Sequence, residues 1–288
     1  MAVIISKPGT DELSDVVDTL REWQDDAAPV QLHPGDVGWF WRFGARRTAE
    51  ALRTWSRDGR VLAVGLLDGA TVLRLTTAPD VRRDEELARQ LVADVTKPEH
   101  GVLPEGAVNV EAPSDALVYD LLAGEGWGAD EPFTPLLRDL TEPVEDAGVR
   151  VEVVGPDRVS ERTAVQRAAF DGSTFTDERW HAMAAGPLYA DARCLLGYDG
   201  AGEAVGAITV WSAGPGKPGL IEPLGVYPHQ RGHGYGTALT VAGADALRGL
   251  GSSSALVMTE STRVAAVATY MSAGFERLPE RLDRRRAG

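Results

Sequence analysis

Leu220-Ile221-Glu222-Pro223-Leu224-Gly225-Val226, followed by Arg231-Gly232-His233-Gly234-Tyr235-Gly236 and then Thr237-Ala238-Leu239-Thr240-Val241-Ala242, reads as a strand that turns through alternate glycines into a helix. Gly232, Gly234 and Gly236 carry no side chains, so successive backbone N–H groups can approach a ligand closely. The positive end of the helix that follows adds a dipole favouring an anion. The physical reading is a pyrophosphate cradle. Its spacing sets it apart from two other phosphate loops. G-x-G-x-G has no Lys-Ser/Thr pair of a nucleotide-triphosphate loop, and its third glycine comes too early for the dinucleotide pattern G-x-G-x-x-G.

A second segment lies downstream. After the apolar strand Ser254-Ala255-Leu256-Val257-Met258-Thr259 comes Arg263-Val264-Ala265-Ala266-Val267-Ala268-Thr269-Tyr270-Met271-Ser272-Ala273-Gly274-Phe275. The R-x-x-G-x-G pattern after Leu-Gly-Val-Tyr-Pro resembles the acetyl-coenzyme A loop of the GCN5-related N-acetyltransferase (GNAT) superfamily. The segment ending in Tyr-x-x-x-Gly-Phe is similar to that family's closing helix. The resemblance implies acetyl-coenzyme A as co-substrate, its pyrophosphate held by Arg231, Gly232, His233, Gly234, Tyr235, Gly236 and Thr237. It also implies that strand backbone at Leu224, Gly225 and Val226 pairs with the pantetheine arm, and Gly225 is consistent with a bulge there that opens the strand pair.

The same resemblance makes Tyr270 the candidate general acid. A phenol near pKa 10 can donate to a thiolate whose conjugate acid lies near 8.5. Glu222, four residues before Val226 and on the same face by strand periodicity, is the candidate base, with Glu260 its rival. Many members of the family carry Asn where Arg263 stands. That role is not carried over, and Arg263 is read as a solvated arginine at a helix start. His229 sits beside the loop, facing solvent or coenzyme.

At 288 residues the chain exceeds one typical domain, so two domains of roughly 150 residues each are expected. The formal charge of -14 and the pI near 4.8 exclude a general nucleic-acid or membrane-surface binder, because either needs a basic face. Arg281-Leu282-Asp283-Arg284-Arg285-Arg286 is expected to be a solvated basic end. Cys194 is the only cysteine, which excludes an intrachain disulfide and a cysteine metal site. Its neighbours read as a strand holding a buried, inert thiol. His33, His100, His181, His229 and His233 show no ligand spacing, so no metal is expected. The start, Met1 to Pro8, is too short in apolar residues for a signal peptide, and no run approaches the roughly 20 residues of a membrane helix, so the expected location is cytoplasmic.

The stretch from Thr141 to Gly148, with Pro143 and Gly148, reads as a linker between residues 1–144 and 145–288. Beyond it, Val149 to Val153 alternates as a strand, Asp157 or Ser160 is the expected cap of a helix through Thr163–Phe170, and Arg193–Tyr198 with Ala204–Trp211 form a hairpin. The first half echoes this plan. Val61–Leu67 and Ala70–Leu75 flank Asp68-Gly69 as two strands, Ala107–Val110 is another, and Leu122–Trp127 matches Tyr270–Phe275 with Leu122 in place of the tyrosine. Counting from Pro79, however, Arg83, Glu85 and Leu87 fall where the three glycines stand, so side chains fill the cradle and Asp84, Glu85 and Glu86 would repel a pyrophosphate.

The expected fold class is α/β with a mixed sheet: two tandem GNAT-like folds, the N-terminal one degenerate, a layout similar to that of the mycothiol synthases. The acceptor pocket is expected between the halves, near Phe170–Trp180 and Tyr189, where Asp171, Asp177 and Glu178 could attract a cationic amine. Trp39-Phe40-Trp41-Arg42-Phe43 is too dense in aromatics for a one-faced helix and is read as core or domain-interface packing. The implied activity is acetyl-coenzyme A-dependent N-acetylation of a small-molecule primary amine by direct transfer in a ternary complex, with no nucleic acid, no membrane and room for a homodimer. Two alternatives stay open: a non-catalytic acyl-coenzyme A-binding regulatory module, and acetylation of an amino-sugar conjugate.

Overall fold

The computed structural model describes residues 2–288; Met1 lies outside them. Short apolar runs between turn residues set the strands, and the two halves follow one order of elements apart from a third helix between the first two strands of the first half and a short extra strand before the last of the second. The first half runs β1 (Ile4–Ser6), α1 (Leu13–Glu22), α2 (Pro34–Phe40), α3 (Ala45–Ala51), β2 (Leu52–Arg57), β3 (Arg60–Leu67), β4 (Val72–Thr77), α4 (Glu85–Thr96), β5 (Val108–Glu111), α5 (Leu117–Gly124) and β6 (Gly128–Asp139). The second runs β7 (Arg150–Val153), α6 (Val159–Ala169), α7 (Asp177–Ala184), β8 (Ala192–Tyr198), β9 (Ala204–Ser212), β10 (Gly219–Val226), α8 (Tyr235–Gly249), β11 (Ser254–Glu260), α9 (Val264–Ser272), the short β12 (Glu276–Arg277) and β13 (Arg281–Arg286). The fold is mixed α/β, and the two halves repeat one plan.

All strands belong to one sheet, ordered β1-β2-β3-β4-β5-β13-β6-β11-β10-β9-β8-β7, with β12 beside β6. Each half completes its sheet with the other's last strand. β6 lies antiparallel to β11 from Asp139↔Ser254 to Phe133↔Glu260. β13 enters between β5 and β6, with Arg284 opposite Val110 on one side and Arg281 opposite Phe133 on the other.

The expectation of a solvated basic end at Arg281–Arg286 is therefore wrong. Arg281 is buried between Glu111, at 3.0 Å, and Asp283, at 2.9 Å. Arg284 lies over the Tyr119 ring at 3.8 Å. Cationic side chains can enter a sheet when each meets a carboxylate or an aromatic face.

The apolar core continues across the halves. One cluster joins Leu13, Leu20 and Trp55 to Trp180, Cys194 and Trp211, and a second under α8 joins Leu239, Leu247 and Ile208 to Leu136 of β6. The expected caps of α6 are also corrected. A 3-10 turn at Pro156–Arg158 runs straight into the helix, so Arg158 takes the N-cap position with no side-chain bond. Ser160 instead donates to Asp177 at the start of α7. Among the described residues, no helix is long and apolar enough to cross a membrane.

Truncating the chain after Glu280 removes the strand that β5 and β6 share and leaves two unpaired edges a strand's width apart. We expect that chain to lose cooperative thermal unfolding and to aggregate. A soluble truncated protein melting within a few degrees of the full chain would refute the exchanged-strand arrangement.

Candidate functional site

β10 and β11 run parallel but pair only at Gly219↔Ala255 and Leu220↔Leu256. Beyond that point β10 continues to Val226 with its β11-facing edge free, and a cleft of about 650 Å³ opens there. Leu224, Gly225 and Val226 line one side, the start of α9 with Thr269 and Tyr270 lines the other, and Arg231, Gly232 and Gly236 close one end.

The loop explains its glycines in two ways. Gly232 and Gly234 sit at φ 81° and 85°, where a Cβ would meet nothing within 4 Å, so the backbone conformation and not crowding demands glycine. At Gly236 closeness decides, because a Cβ would lie 3.1 Å from Thr269 Cγ2 on α9. Gly234 takes the N-cap position of α8 without any side-chain cap, and the first helical donor is Ala238 N–H, 3.0 Å from Gly234 O. The first-turn N–H groups thus stay available to an anion. Arg231 Nη2 donates to Ala169 O at 3.0 Å and ties the loop to the end of α6. His233, Gly234, Tyr235 and Thr237 build the loop and first turn without lining the cleft, and the His233 and Tyr235 rings stand 6.2 Å apart.

Glu222 lies elsewhere than strand periodicity predicted. The β10–β9 register steps from Ile221↔Val210 to Leu224↔Ile208, one residue more on β10 than on β9. This puts Ile221, Leu224 and Val226 on one face and turns Glu222 to the other, so the expectation that Glu222 shares a face with Val226 is overturned. The irregularity falls at Glu222–Pro223, not at Gly225. Gly225 instead lets the end of α6 close on β10, since a Cβ there would lie 2.8 Å from Ala169 Cβ. Trp211 Nε1 donates to Glu222 O at 2.8 Å and pins the irregular segment.

The Glu222 side chain reaches a second cleft of about 300 Å³, shared with Trp39, Arg42, Phe43, Phe175 and Arg179. Phe170 lines both clefts, so they adjoin. Behind Glu222 is a small cavity of about 130 Å³ lined by Asp36, Arg74, Glu111 and Arg281. Burial pushes the Glu222 carboxyl up to about 7, with Arg74 opposing the rise and Asp36 and Asp68 adding to it. Burial, and then the Glu222 charge, raise Tyr270 above the ordinary phenol range, so its hydroxyl stays protonated at neutral pH.

The first half builds one wall of the second cleft. His33 caps α2, its Nδ1 accepting from Gly35 N–H at 2.8 Å and its Nε2 donating to Pro218 O at 3.0 Å. Gly38 lets α2 rest on Trp211, since a Cβ there would stand 2.4 Å from Trp211 Cζ3. This docking delivers Trp39 to Phe175, ring centroids 5.1 Å apart. Of the dense aromatic run, Trp41 is buried, while Trp39 and Phe43 face the cleft beside Arg42. Sequence reading passed over Arg42 and Arg179 as site residues; the density of aromatics around Arg42 was the available signal. Asp177 is engaged by Ser160 and Thr163, whereas Asp171 lines the cleft. Glu260 is held by Arg263 at 2.7 Å, so Arg263 is ion-paired and not merely solvated. His229 is exposed, with its ring 5.4 Å from that of Tyr227.

Residues 162–275 match the acetyltransferase (GNAT) family. The strand order, the glycine loop and the closing helix fall within or beside the matched residues and agree with that family's fold. Solved structures of similar fold span the whole chain. A GCN5-related N-acetyltransferase from Sphaerobacter thermophilus is 20% identical with a TM-score of 0.60, covering 99% of this chain and 95% of its own. A tandem GNAT protein from the clavulanic acid biosynthesis pathway is 15% identical with a TM-score of 0.63, covering 99% and 98%. A GNAT-family acetyltransferase from Colwellia psychrerythraea is 13% identical with a TM-score of 0.61, covering 100% of each chain. No curated protein matches the sequence.

Since the folded pKa of Glu222 lies above the ordinary carboxylate value, the protonated side chain favours folding, fully so below about pH 4, and that contribution is lost as pH rises through about 7. Glu222→Gln should therefore melt close to the parent protein near about pH 4. It should be the more stable by about pH 8, on the order of 3 kcal/mol. Melting curves across that range would show it, and a difference that does not change with pH would contradict the burial argument.

Proposed function

We propose that the protein is an acetyl-coenzyme A-dependent N-acetyltransferase that passes the acetyl group directly to the primary amine of a small molecule, with no covalent enzyme intermediate. One observation carries this reading: a single cleft combines the free edge of β10 at Leu224–Val226, the uncapped first turn of α8 and the Tyr270 phenol. The GNAT family match over residues 162–275 supports it.

The residues present fit the coenzyme. Positive-φ glycines and uncapped N–H groups suit a pyrophosphate at Arg231 to Thr237, and the β10 edge suits the amides of a pantetheine arm. When bound, acetyl-coenzyme A supplies an activated thioester carbonyl and a thiolate leaving group. The β10 edge N–H groups orient and polarise an acyl oxygen. Glu222, lifted to about 7, is substantially ionised at neutral pH and takes the amine proton, directly or through water. Tyr270 keeps its proton at neutral pH and holds it for the departing sulfur.

In this reading residues 145–288 are the catalytic domain and residues 1–144 a domain of the same plan without coenzyme binding. The start of α4 supports the second part. Asp84 caps it, accepting from Leu87 N–H at 2.8 Å, and Arg57 pairs with both Asp84 and Glu86 at 2.8 and 2.9 Å. The N–H groups that α8 leaves open are thus partly satisfied from within at α4, and carboxylates stand where a phosphate would come.

Calorimetric titration with acetyl-coenzyme A tests the reading. One site per chain is expected, abolished by Gly234→Glu, which forces a side chain onto a left-handed backbone and sets a carboxylate at the cradle. Tyr270→Phe should bind coenzyme within a few-fold of the parent yet lower kcat by about 100-fold or more. Two sites, or none, would overturn the assignment.

A further inference from the structure

The second cleft carries charge that the transfer chemistry leaves unexplained. The chain holds 43 acidic residues against 29 Lys and Arg, and many of its arginines are paired with carboxylates. Arg42 and Arg179 are different. Among the described residues neither has a carboxylate oxygen within 4.0 Å, although both face a cleft that also contains Asp171 and Glu222. Each is held by uncharged groups instead: backbone carbonyls, aromatic rings and, for Arg179, the Thr174 hydroxyl, which accepts from Nη1. Arg42 Nη1 donates to Trp39 O at 2.7 Å, and its Cζ stands 4.4 Å from both the Trp39 and Phe43 ring centroids. Arg179 Nη1 donates to Thr174 O at 2.9 Å, and its Cζ lies 5.0 Å from the same Phe43 ring.

Two guanidinium groups from different halves thus flank one phenyl ring with donors to spare. Their aromatic and carbonyl contacts fix their positions without neutralising their charge. A partly buried cation without an anion is costly, and burial lowers the Arg42 pKa to about 10. Glu222 stands in the same cleft, two residues along β10 from Leu224, where the adjoining coenzyme cleft begins.

We propose that the acceptor is a primary amine that also carries an anionic group, a carboxylate or a phosphate, with the amine at Glu222 and the anion held by Arg42 and Arg179. The inference rests on the acetyltransferase reading for the identity of the reacting amine, while the anion site stands on its own geometry. It gives the first half a direct part in recognition, since Arg42 comes from that half and Arg179 from the other. Bidentate hydrogen bonds from a preset guanidinium suit planar carboxylates and phosphate oxygens alike, so this chemistry selects charge before it selects between the two.

Matched twins test it: L-amino acids against their amides, and O-phosphoethanolamine against ethanolamine, each titrated calorimetrically into the full-length protein and assayed with acetyl-coenzyme A for thiol release. At least one anionic member should bind on the order of 100-fold more tightly than its neutral twin. Whether that member is a carboxylate or a phosphate distinguishes the two sources. In Arg42→Gln/Arg179→Gln, melting like the parent, the preference should collapse while the neutral twin's affinity changes by no more than a few-fold. Anionic members that bind no better than their twins at millimolar concentration would overturn the proposal. So would a preference that survives the double substitution. Anion-selective binding without thiol release with any amine would uphold the anion site and overturn acetyl transfer; equal release from neutral and anionic twins would do the reverse.

Discussion

The position of β13 between β5 and β6 governs this molecule. Through it the two halves form one continuous sheet. The seam is sealed by charge as much as by apolar contact: Arg281 meets Glu111 and Asp283, while Arg74, one strand further, meets Asp36, Asp68 and Glu111. Removing one member of such a buried set leaves an uncompensated charge, at a cost of about 3–5 kcal/mol. A shift of β13 by one residue would turn Arg281 and Asp283 to the opposite face and strand Glu111. The ion pairs therefore hold the register as well as the strand.

The site inherits its geometry from that seam. With the sheet continuous, α2 of the first half settles on Trp211 of the second, and Trp211 in turn grips the backbone at Glu222. One side chain therefore links the docking of the halves to the placement of the carboxylate. The same cluster of Asp36, Asp68 and Arg74 sets the field in which Glu222 titrates. Fold and reactivity are joined through a few buried charges at the interface.

Much of this was legible in the chain, where the signal was backbone demand or apolar pattern. Gly232 and Gly234 announce a left-handed turn because little else fits one, and the strand–loop–helix–strand–helix order followed from them. The repeat in the first half showed in matching turns and strands. β13 was not legible, for a physical reason. Its alternation is intact but inverted: Arg281 and Asp283 point inward while Leu282 is 39% exposed. A strand whose buried positions are charged looks like a tail until its partners are known. Glu222 was misplaced because one extra residue in β10 reverses the face of everything before it, and nothing in the local residue types marks where it falls. Arg42 and Arg179 were missed because what distinguishes them is the lack of a partner, a property of the assembled cleft.

The exchanged strands also set an order of events in folding. Arg281 and its partner Glu111 are 170 residues apart in sequence. On a growing chain made at about 5–20 residues per second, β5 and β6 wait roughly ten to thirty seconds for the strand that belongs between them. Throughout that interval the edges of β5 and β6 that face β13 stand unsatisfied. Contacts of such long range also slow folding once the chain is complete. The same strand that binds the halves together thus gives the nascent protein a long period in which it is open to chaperones, and to pairing with the wrong neighbour.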